Sequence, residues 1–243
     1  MAMAKTLPIH DLTHLSDFDA LLSADDYISI CGYGSLLSER SARSTFPNLV
    51  NFRIARLTGF RRLFNAVGAL FFTHGVANIK TEEIAGLSVE PCEGETIILV
   101  VFEIKKTEIP AFIEREREYR FLAVSYCSSL CSGDNGIYPI PASRVVPESL
   151  DGKPFTNPAV LCASYSDEEF FKFKCTGNVT KSKFILSQNA LGAKSLGEEV
   201  YNNFLDHTFL GDRKTTIRQY FEKVGSKIME EEPPQSLKTR YGG

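Results

Sequence analysis

The feature that most constrains this sequence is a short apolar run that breaks into glycine, aromatic and hydroxyl residues at positions 28–37. Residues Ile28 to Cys31 are rich in apolar and β-branched side chains and end at Gly32, which predicts a buried strand. Gly32 and Gly34 can adopt positive φ and let a ligand approach the main chain, and Ser35 can act as N-cap of the following turn. Free N–H groups in such a loop suit an anion or a polarised carbonyl, and a tight turn with two glycines is the simpler interpretation.

This loop matches neither common phosphate-binding motif. Gly32-Tyr33-Gly34-Ser35-Leu36-Leu37 lacks the lysine of a Walker loop and the third glycine of a dinucleotide fingerprint. The six cysteines lie mostly inside apolar runs, as reduced buried thiols do, and only Cys127-x-x-x-Cys131 resembles a pair. With no second pair of ligands in the sequence, we expect no zinc site.

Composition excludes several classes of partner. The 243 residues, 43% hydrophobic and 23% charged with a net charge of −3, are typical of one large globular domain or one domain with an appendage. No basic block is present, so we expect neither nucleic acid nor an anionic membrane as the main partner. No apolar stretch approaches the roughly 18 residues of a membrane span, and acidic residues replace a signal core near the N-terminus. We therefore expect a cytoplasmic protein.

Sheet signals follow the loop. Residues 51–65 carry the first long signal, and short apolar runs follow at 67–72, 77–79, 84–89 and 96–104. Turn residues, including Pro91-x-x-Gly94, separate these runs, and this spacing predicts a barrel or a strongly curved sheet. Residues 97–102 are apolar on both faces, so we expect both faces to be covered. Arg61 and Arg62 are interpreted as exposed charges on an alternating strand, with binding of a substrate carboxylate as the alternative.

The spacing of apolar residues changes at residues 105–118 and predicts a helix there. Ile109, Phe112 and Ile113 fall at i, i+3 and i+4, and a proline at position 110 is tolerated in a first turn. The next position on this apolar stripe is Glu116, so its carboxylate points toward the core. Desolvation disfavours the charged form of such a carboxylate, as a general acid or base near neutral pH requires. A buried ion pair with a nearby arginine explains the same position equally well.

The other acidic residues of this helix fall away from the stripe. Glu114 and Glu118 are four residues apart and close to Arg115 and Arg117. We interpret this set as a solvated, ion-paired face.

Helical patterns dominate beyond a proline-rich stretch at residues 138–158. Ser166-x-x-Glu169 and Ser195-x-x-Glu198 have the form of capping boxes, and a helix over 184–191 is predicted to end at Gly192. Apolar stripes follow at positions 200, 204 and 205 and at positions 217, 220, 221 and 224. The predicted organisation is an N-terminal arm with a short helix (1–25), a barrel domain (26–165), a helical extension (166–228) and a flexible tail (229–243).

Two of these motifs resemble those of the γ-glutamylcyclotransferase superfamily. Tyr33-Gly34-Ser35-Leu36 is similar to the Tyr-Gly-Ser-x-Leu loop that holds the γ-glutamyl group there, and residues 112–116 are similar to the Leu-Asp-x-x-Glu segment that delivers the catalytic glutamate. The resemblance covers roughly residues 27–165. Phe112 and Ile113 depart from the usual leucine and aspartate, so Glu114 and Glu118 stay as alternatives to Glu116.

The resemblance implies an α+β protein with a small mixed β-barrel of that kind and a C-terminal helical extension. It implies release of 5-oxoproline and a free amine from a γ-glutamyl amide, such as glutathione or a γ-glutamyl amino acid or amine. Glu116 would be the acid/base, residues Tyr33, Gly34, Ser35 and Leu36 would bind the small-molecule substrate, and no metal or cofactor would take part. Two alternatives stay open: an amidohydrolase of a related small amide, and a catalytically silent binding module in which Glu116 is structural.

Overall fold

The computed structural model describes residues 11–12, 14–68, 72–75, 77, 80, 83–124, 148–149, 159–164, 183–224, 226–230, 232 and 235–238. The strands are β1 (Asp11–Leu12), β2 (Tyr27–Gly32), β3 (Val50–Ala66), β4 (Gly86–Lys105), β5 (Arg120–Val124), β6 (Glu148–Ser149), β7 (Ala159–Ala163) and β8 (Thr208–Phe209). The helices are α1 (Glu39–Thr45), α2 (Ile109–Arg115), α3 (Lys183–Ser195), α4 (Glu198–Asp206) and α5 (Ile217–Val224). Short 3-10 turns include Leu15–Leu21 and Ser35–Leu37.

The strands form one mixed sheet in the order β1-β5-β7-β2-β4-β3-β6, with β8 also paired to β3. The β2–β7 and β3–β8 pairs are parallel and the other pairs are antiparallel. The predicted α+β class with a mixed sheet is confirmed. The predicted barrel is not closed over the described residues, because the outer strands β1, β6 and β8 have only two residues each and do not join the two edges.

Long strands replace several of the short ones that the sequence predicts. Runs 84–89 and 96–104 belong almost entirely to β4, which continues through Pro91-x-x-Gly94. The register of β4 against β3 shifts beside Gly59, and Gly59 and Gly94 both have positive φ. The turn that the sequence predicts at Pro91-x-x-Gly94 is therefore a bulge within one continuous pair of strands. Val67 and Ala77 lie outside the strands, and most of the remaining residues in 67–72 and 77–79 lie outside the described part of the chain.

The centre of β4 is the core of the sheet. Residues 97–102 are all buried, as their apolar faces predict. Aromatic rings cover one face: Phe112 of α2 lies 5.2 Å from Phe121 and 6.2 Å from Phe46, between ring centroids. Helix α2 begins at Ile109 with a proline in its first turn, as predicted, and its last residue, Arg115, directly precedes Glu116.

Helix α3 continues past its predicted end at Gly192. A Cβ atom at Gly192 would lie 3.5 Å from Leu37 Cβ and 3.6 Å from the Ser38 nitrogen, which are ordinary contact distances, so α3 passes beside the 3-10 turn Ser35–Leu37 at this point. The N-cap of α4 is Gly197, with φ of 114°, so the predicted capping box at Ser195 is wrong; the Ser195 hydroxyl donates to the Gly192 carbonyl instead. The predicted apolar stripe of α4 is confirmed by the burial of Val200, Phe204 and Leu205.

Some predictions lie outside the described residues. These are the Cys127–Cys131 pair, most of the proline-rich stretch and the capping box at Ser166. In the segment predicted to be a flexible tail, Gln235–Leu237 form a 3-10 turn and Leu237 packs in the core. Among the described helices, none is both long and apolar enough to cross a membrane.

Candidate active site

A partly open cleft, with about 470 Å³ of empty space that includes solvent at its mouth, lies where the end of β2, the end of α2 and helix α3 come together. Its wall includes every site residue that the sequence predicts: Tyr33, Gly34, Ser35, Leu36 and Glu116. The loop and the carboxylate are about 80 residues apart in sequence, and the sheet brings them to the same space because β2 pairs with β4, which leads into α2.

In the glycine loop, residues 32–37, the first backbone N–H groups take no part in the hydrogen bonds that close the turn. Leu37 N–H donates to the Gly34 carbonyl at 2.9 Å and Ser38 N–H donates to the Ser35 carbonyl at 3.4 Å. The N–H groups of Gly34, Ser35 and Leu36 precede these bonds, and early N–H groups of a helical turn have no partner within it. Ser35 is not the N-cap of the turn that follows the loop, because the cap position of the 3-10 turn Ser35–Leu37 is Gly34. The next cap is Ser38, at the start of α1, whose hydroxyl accepts from Ser41 N–H.

Close packing explains the first glycine of the loop. Positive φ is found at neither Gly32 nor Gly34, contrary to the expectation from sequence. A Cβ atom at Gly32 would lie 2.7 Å from Leu36 Cβ and 2.9 Å from Val100 Cγ2, distances that real Cβ atoms do not tolerate. Gly32 therefore lets the loop fold back against β4.

Glu116 follows the last residue of α2 and is 7% exposed. Its inward direction agrees with the helical stripe in the sequence. Its N–H donates to the Phe112 carbonyl at 3.0 Å, and its Oε1 accepts from Arg115 Nε at 3.1 Å. The carboxylate is thus held at the cavity wall by the end of the helix and by the neighbouring guanidinium.

Arg115 is buried, not on the solvated face that the sequence suggested. Besides its bond to Glu116, it donates to Thr45 Oγ1 at 2.6 Å and to the Ser41 carbonyl at 3.1 Å. It also donates to Ser35 Oγ at 3.3 Å. One guanidinium therefore ties the glycine loop, α1 and the carboxylate together, and the fork of an arginine is suited to several acceptors at once.

The alternative glutamates lie elsewhere. The Glu114 side chain is 72% exposed and pairs with Arg117 at 2.9 Å, as the sequence predicts for a solvated face. Glu118 is half-buried and lies 3.9 Å from Arg117 Nε. Over the described residues, the cavity wall contains Glu116 and neither of these two carboxylates.

The tyrosines of the cavity are engaged with the backbone. Tyr33 Oη donates to the Cys162 carbonyl at 2.8 Å, and Tyr119 Oη donates to the Leu87 carbonyl at 2.9 Å. Burial, with a further contribution from Tyr119, raises the pKa of Tyr33 well above its ordinary value. Tyr33 is therefore a poor candidate for a general base.

Cys31 is a thiol of the cavity wall. Burial raises the pKa of Cys31 to about 12, so it stays a thiol near neutral pH and is a poor nucleophile. Among the described residues, no group of three or more His, Cys, Asp and Glu side chains is placed to hold a metal ion. The titratable group best placed for proton transfer at the wall is the Glu116 carboxyl.

Arg62 also contacts the loop, through the Tyr33 carbonyl. The sequence interpreted it as exposed, but it is fully buried, because β3 packs against β4 and the Arg62 guanidinium lies over the ring of Phe204 in α4. Arg62 Nε donates to the Tyr33 carbonyl at 3.1 Å, Nη1 donates to Asn203 Oδ1 at 3.2 Å, and Nη2 donates to the Ile98 carbonyl. Burial lowers the pKa of Arg62 to about 9.

Arg61 is also not free to bind a substrate carboxylate. It is half-buried, and its guanidinium contacts Glu90 Oε1 at 2.6 Å. Arg213 contacts the other oxygen of Glu90 at 2.9 Å, so this carboxylate lies between two arginines.

The sequence prediction did not include several residues of the site. Asn189 and Ile185 of α3 are among those that line the cavity, and Arg115 donates to Ser35 of the loop. A signal for Asn189 was present, since it lies three residues after Leu186 and four before Ala193, both buried. A polar residue on an apolar stripe is the same signal that identified Glu116.

Fold and site together define an α+β protein with an open mixed sheet and a cavity in which a buried carboxylate and a glycine loop share one wall. No family model and no curated protein matches the chain.

Several solved structures overlap with this chain. The uncharacterized protein loc79017 from Homo sapiens is 17% identical with a TM-score of 0.47, over 85% of this chain and 99% of that one. A gamma-glutamyl cyclotransferase is 16% identical with a TM-score of 0.46, over 84% and 99% of the two chains. YkqA from Bacillus subtilis is 15% identical with a TM-score of 0.35, over 57% and 41%. TM-scores below 0.5 are too low to assign an activity, so the function is argued from the contacts of the cavity itself.

Proposed function

We propose that this protein binds a γ-glutamyl amide in the cavity and releases 5-oxoproline and a free amine. The observation that carries the proposal is the shared wall: the Tyr33–Leu36 loop and Glu116 line one cavity. The motif resemblance had named these same residues, and their meeting in one space is what a γ-glutamylcyclotransferase-like site requires. The fold alone does not argue for this chemistry.

In the proposed reaction, the substrate supplies its own nucleophile. The Glu116 carboxylate takes a proton from the α-ammonium group, and the freed amine attacks the γ-carbonyl carbon to close a five-membered ring. The carbon–nitrogen bond of the amide then breaks as the Glu116 carboxyl returns this proton to the departing nitrogen. The ring nitrogen still carries a second proton, which passes through the same carboxylate to the released amine. The ring nitrogen is left as the neutral lactam N–H, the amine leaves as an ammonium ion, and one carboxyl serves every proton transfer.

The loop would hold the oxygen atoms of the substrate. Its first N–H groups precede the backbone bonds of the turn, so they can donate to a carbonyl or carboxylate of the γ-glutamyl group. Holding this group folded for ring closure is a proximity effect that contributes several kcal/mol. One of these N–H groups could donate to the γ-carbonyl oxygen as negative charge develops on it. Loss of that hydrogen bond would raise the activation free energy by roughly 3 kcal/mol.

Arg115 favours a second candidate function. Because its guanidinium contacts Glu116 at 3.1 Å, the buried carboxylate has a structural partner. The chain would then be a binding module without catalysis, in which the same pair holds α2 against the loop.

A comparison of two glutamate variants tests the proposal. Release of 5-oxoproline is measured with glutathione, γ-glutamyl amino acids and γ-glutamyl amines, for wild type, Glu116→Gln and Glu114→Gln. We expect Glu116→Gln to lose about a hundredfold or more in turnover, the typical contribution of a general acid/base. Glu114→Gln makes the same chemical change two residues away on the surface and should keep full turnover.

The outcomes separate the candidates. Thermal unfolding first establishes that both variants are folded. Full turnover in Glu116→Gln would contradict the assigned role and point to Glu118. Release of free glutamate in place of 5-oxoproline would identify an amidohydrolase, and no release from any substrate by wild type would support the binding module.

A further inference from the structure

Asn189 places a buried amide at the cavity wall that the proposed reaction does not use. The residue is 2% exposed and lies on α3, the first helix of the extension. Its Oδ1 is buried and has no hydrogen-bond partner among the residues that the structure describes. Buried side-chain oxygens are nearly always paired in native proteins, so this orphaned acceptor indicates a ligand that donates to it.

The position of Asn189 limits which part of a ligand it can meet. Its amide atoms lie 3.7 and 3.8 Å from the point where a Cβ atom of residue 34 would stand, so it packs beside the glycine loop. The loop N–H groups donate, and they therefore take the oxygen atoms of a γ-glutamyl group. Asn189 Oδ1 and the Glu116 carboxylate accept, and they line the same cavity. The α-nitrogen of the γ-glutamyl group is a donor, so we expect it to lie near these two acceptors.

We propose that Asn189 Oδ1 accepts a hydrogen bond from the α-ammonium group of the substrate, an inference that rests on the proposed function. An amide oxygen accepts this bond without taking the proton. Asn189 thus holds the nitrogen while Glu116 removes the proton, and it selects γ-glutamyl amides over amides that lack the α-amino group. The helical extension thereby supplies a specificity-determining residue to a site formed mainly by the sheet and α2.

The test measures discrimination between two matched ligands. γ-Glutamylalanine and glutarylalanine differ only in the α-amino group, and their Kd values are measured by calorimetry in a Glu116→Gln background that does not consume them. Adding Asn189→Ala should reduce the preference for γ-glutamylalanine by about tenfold or more, the usual effect of losing a hydrogen bond to a charged group. Adding Asn189→Asp keeps an acceptor at this position and should preserve the preference.

Gln188→Ala is the control on the same helix. Gln188 is the adjacent amide, contacts Ser187 and is not part of the cavity wall over the described residues. Gln188→Ala should keep both the ligand preference and the catalytic efficiency of 5-oxoproline release. Asn189→Ala should lower this catalytic efficiency by a factor similar to the factor by which it weakens the binding of γ-glutamylalanine. A merely structural role for Asn189 would weaken both ligands equally.

The results separate this inference from the proposed function. An unchanged preference in Asn189→Ala, in a protein whose wild type releases 5-oxoproline, overturns the role of Asn189 alone. Failure of wild type to release 5-oxoproline, together with failure to bind either ligand, overturns both.

Discussion

The two sides of the glycine loop are built differently. On the side of the sheet, Gly32 packs against Val100, and Arg62 donates to the Tyr33 carbonyl from a fully buried position. On the side of the cavity, a Cβ atom at Gly34 would make only ordinary contacts, 3.5 Å to Leu87 Cδ2 and 3.7 Å to Asn189 Nδ2. Arg115 there contacts both the loop and the Glu116 carboxylate.

This difference indicates that the two sides of the loop have different roles. The sheet side has no spare volume, so its residues set the shape of the backbone. The cavity side keeps space and unsatisfied polar atoms, which a ligand can use. Changes on the sheet side should therefore alter the free energy of unfolding, and changes on the cavity side should alter binding and turnover.

The largest expected effect comes from Arg62→Met. Methionine has a similar length but no donor, so the Tyr33 and Ile98 carbonyls lose a buried partner. Removal of the cation also removes its desolvation cost, and we expect a net loss of about 3 kcal/mol in the free energy of unfolding, measured by urea denaturation.

Arg56→Met is the matched control on the same strand. Arg56 pairs with Glu199 at 3.1 Å, and both side chains are exposed. Exposed pairs contribute about 0–1 kcal/mol, so this variant should change little. Equal effects of the two substitutions would contradict the structural role of Arg62.

Alanine at each glycine compares the two sides directly. Gly32→Ala forces a Cβ atom to 2.7 Å from Leu36 Cβ, and overpacking of this kind costs about 1–3 kcal/mol of stability. Gly34→Ala meets ordinary contacts and should unfold at nearly the wild-type urea concentration, while its methyl group enters the cavity and weakens the binding of γ-glutamylalanine. If Gly34→Ala were the more destabilised variant, the two sides of the loop would not differ as described.

The smallest effect concerns an ion pair away from the loop. A hydrogen bond from Arg218 lowers the pKa of Asp206 below its ordinary value. The unfolded state therefore binds more protons in this range, so the stabilisation is present above about pH 4 and is lost as the pH falls below it. Asp206→Asn should flatten the acid loss of stability, seen as urea midpoints between about pH 5 and pH 3.

The Asp206–Arg218 pair is exposed, and neither residue is part of the cavity wall over the described residues. Asp25 lies at an exposed turn and has no arginine partner of this kind among the residues that the structure describes, so Asp25→Asn makes the same change and should keep the wild-type slope. Asp206→Asn should also keep full 5-oxoproline release at neutral pH. A loss of turnover would show that the extension acts on the site through α4 as well as through α3.

Much of the local structure could be predicted from the sequence. The run before Gly32 is strand β2, residues 97–102 are buried on both faces, and the apolar stripe of α2 correctly directs Glu116 inward. Each of these follows from periodicity within a few residues, because a side chain's direction along a strand or helix is set by local geometry. The meeting of Glu116 with the loop agrees with the motif resemblance, whereas its catalytic role stays a prediction.

Which polar residues are buried, and what they contact, depends on the three-dimensional packing. Arg62 and Arg115 were interpreted from the sequence as solvated charges, and both are buried because acceptors from distant segments surround them. Asn189 reaches the cavity because α3 passes close to the 3-10 turn beside Gly192. Local sequence patterns were enough to predict which face of each element is buried. The pairing of β2 with β4 and β7 and the path of the extension set which faces meet, since those contacts join residues far apart in the chain.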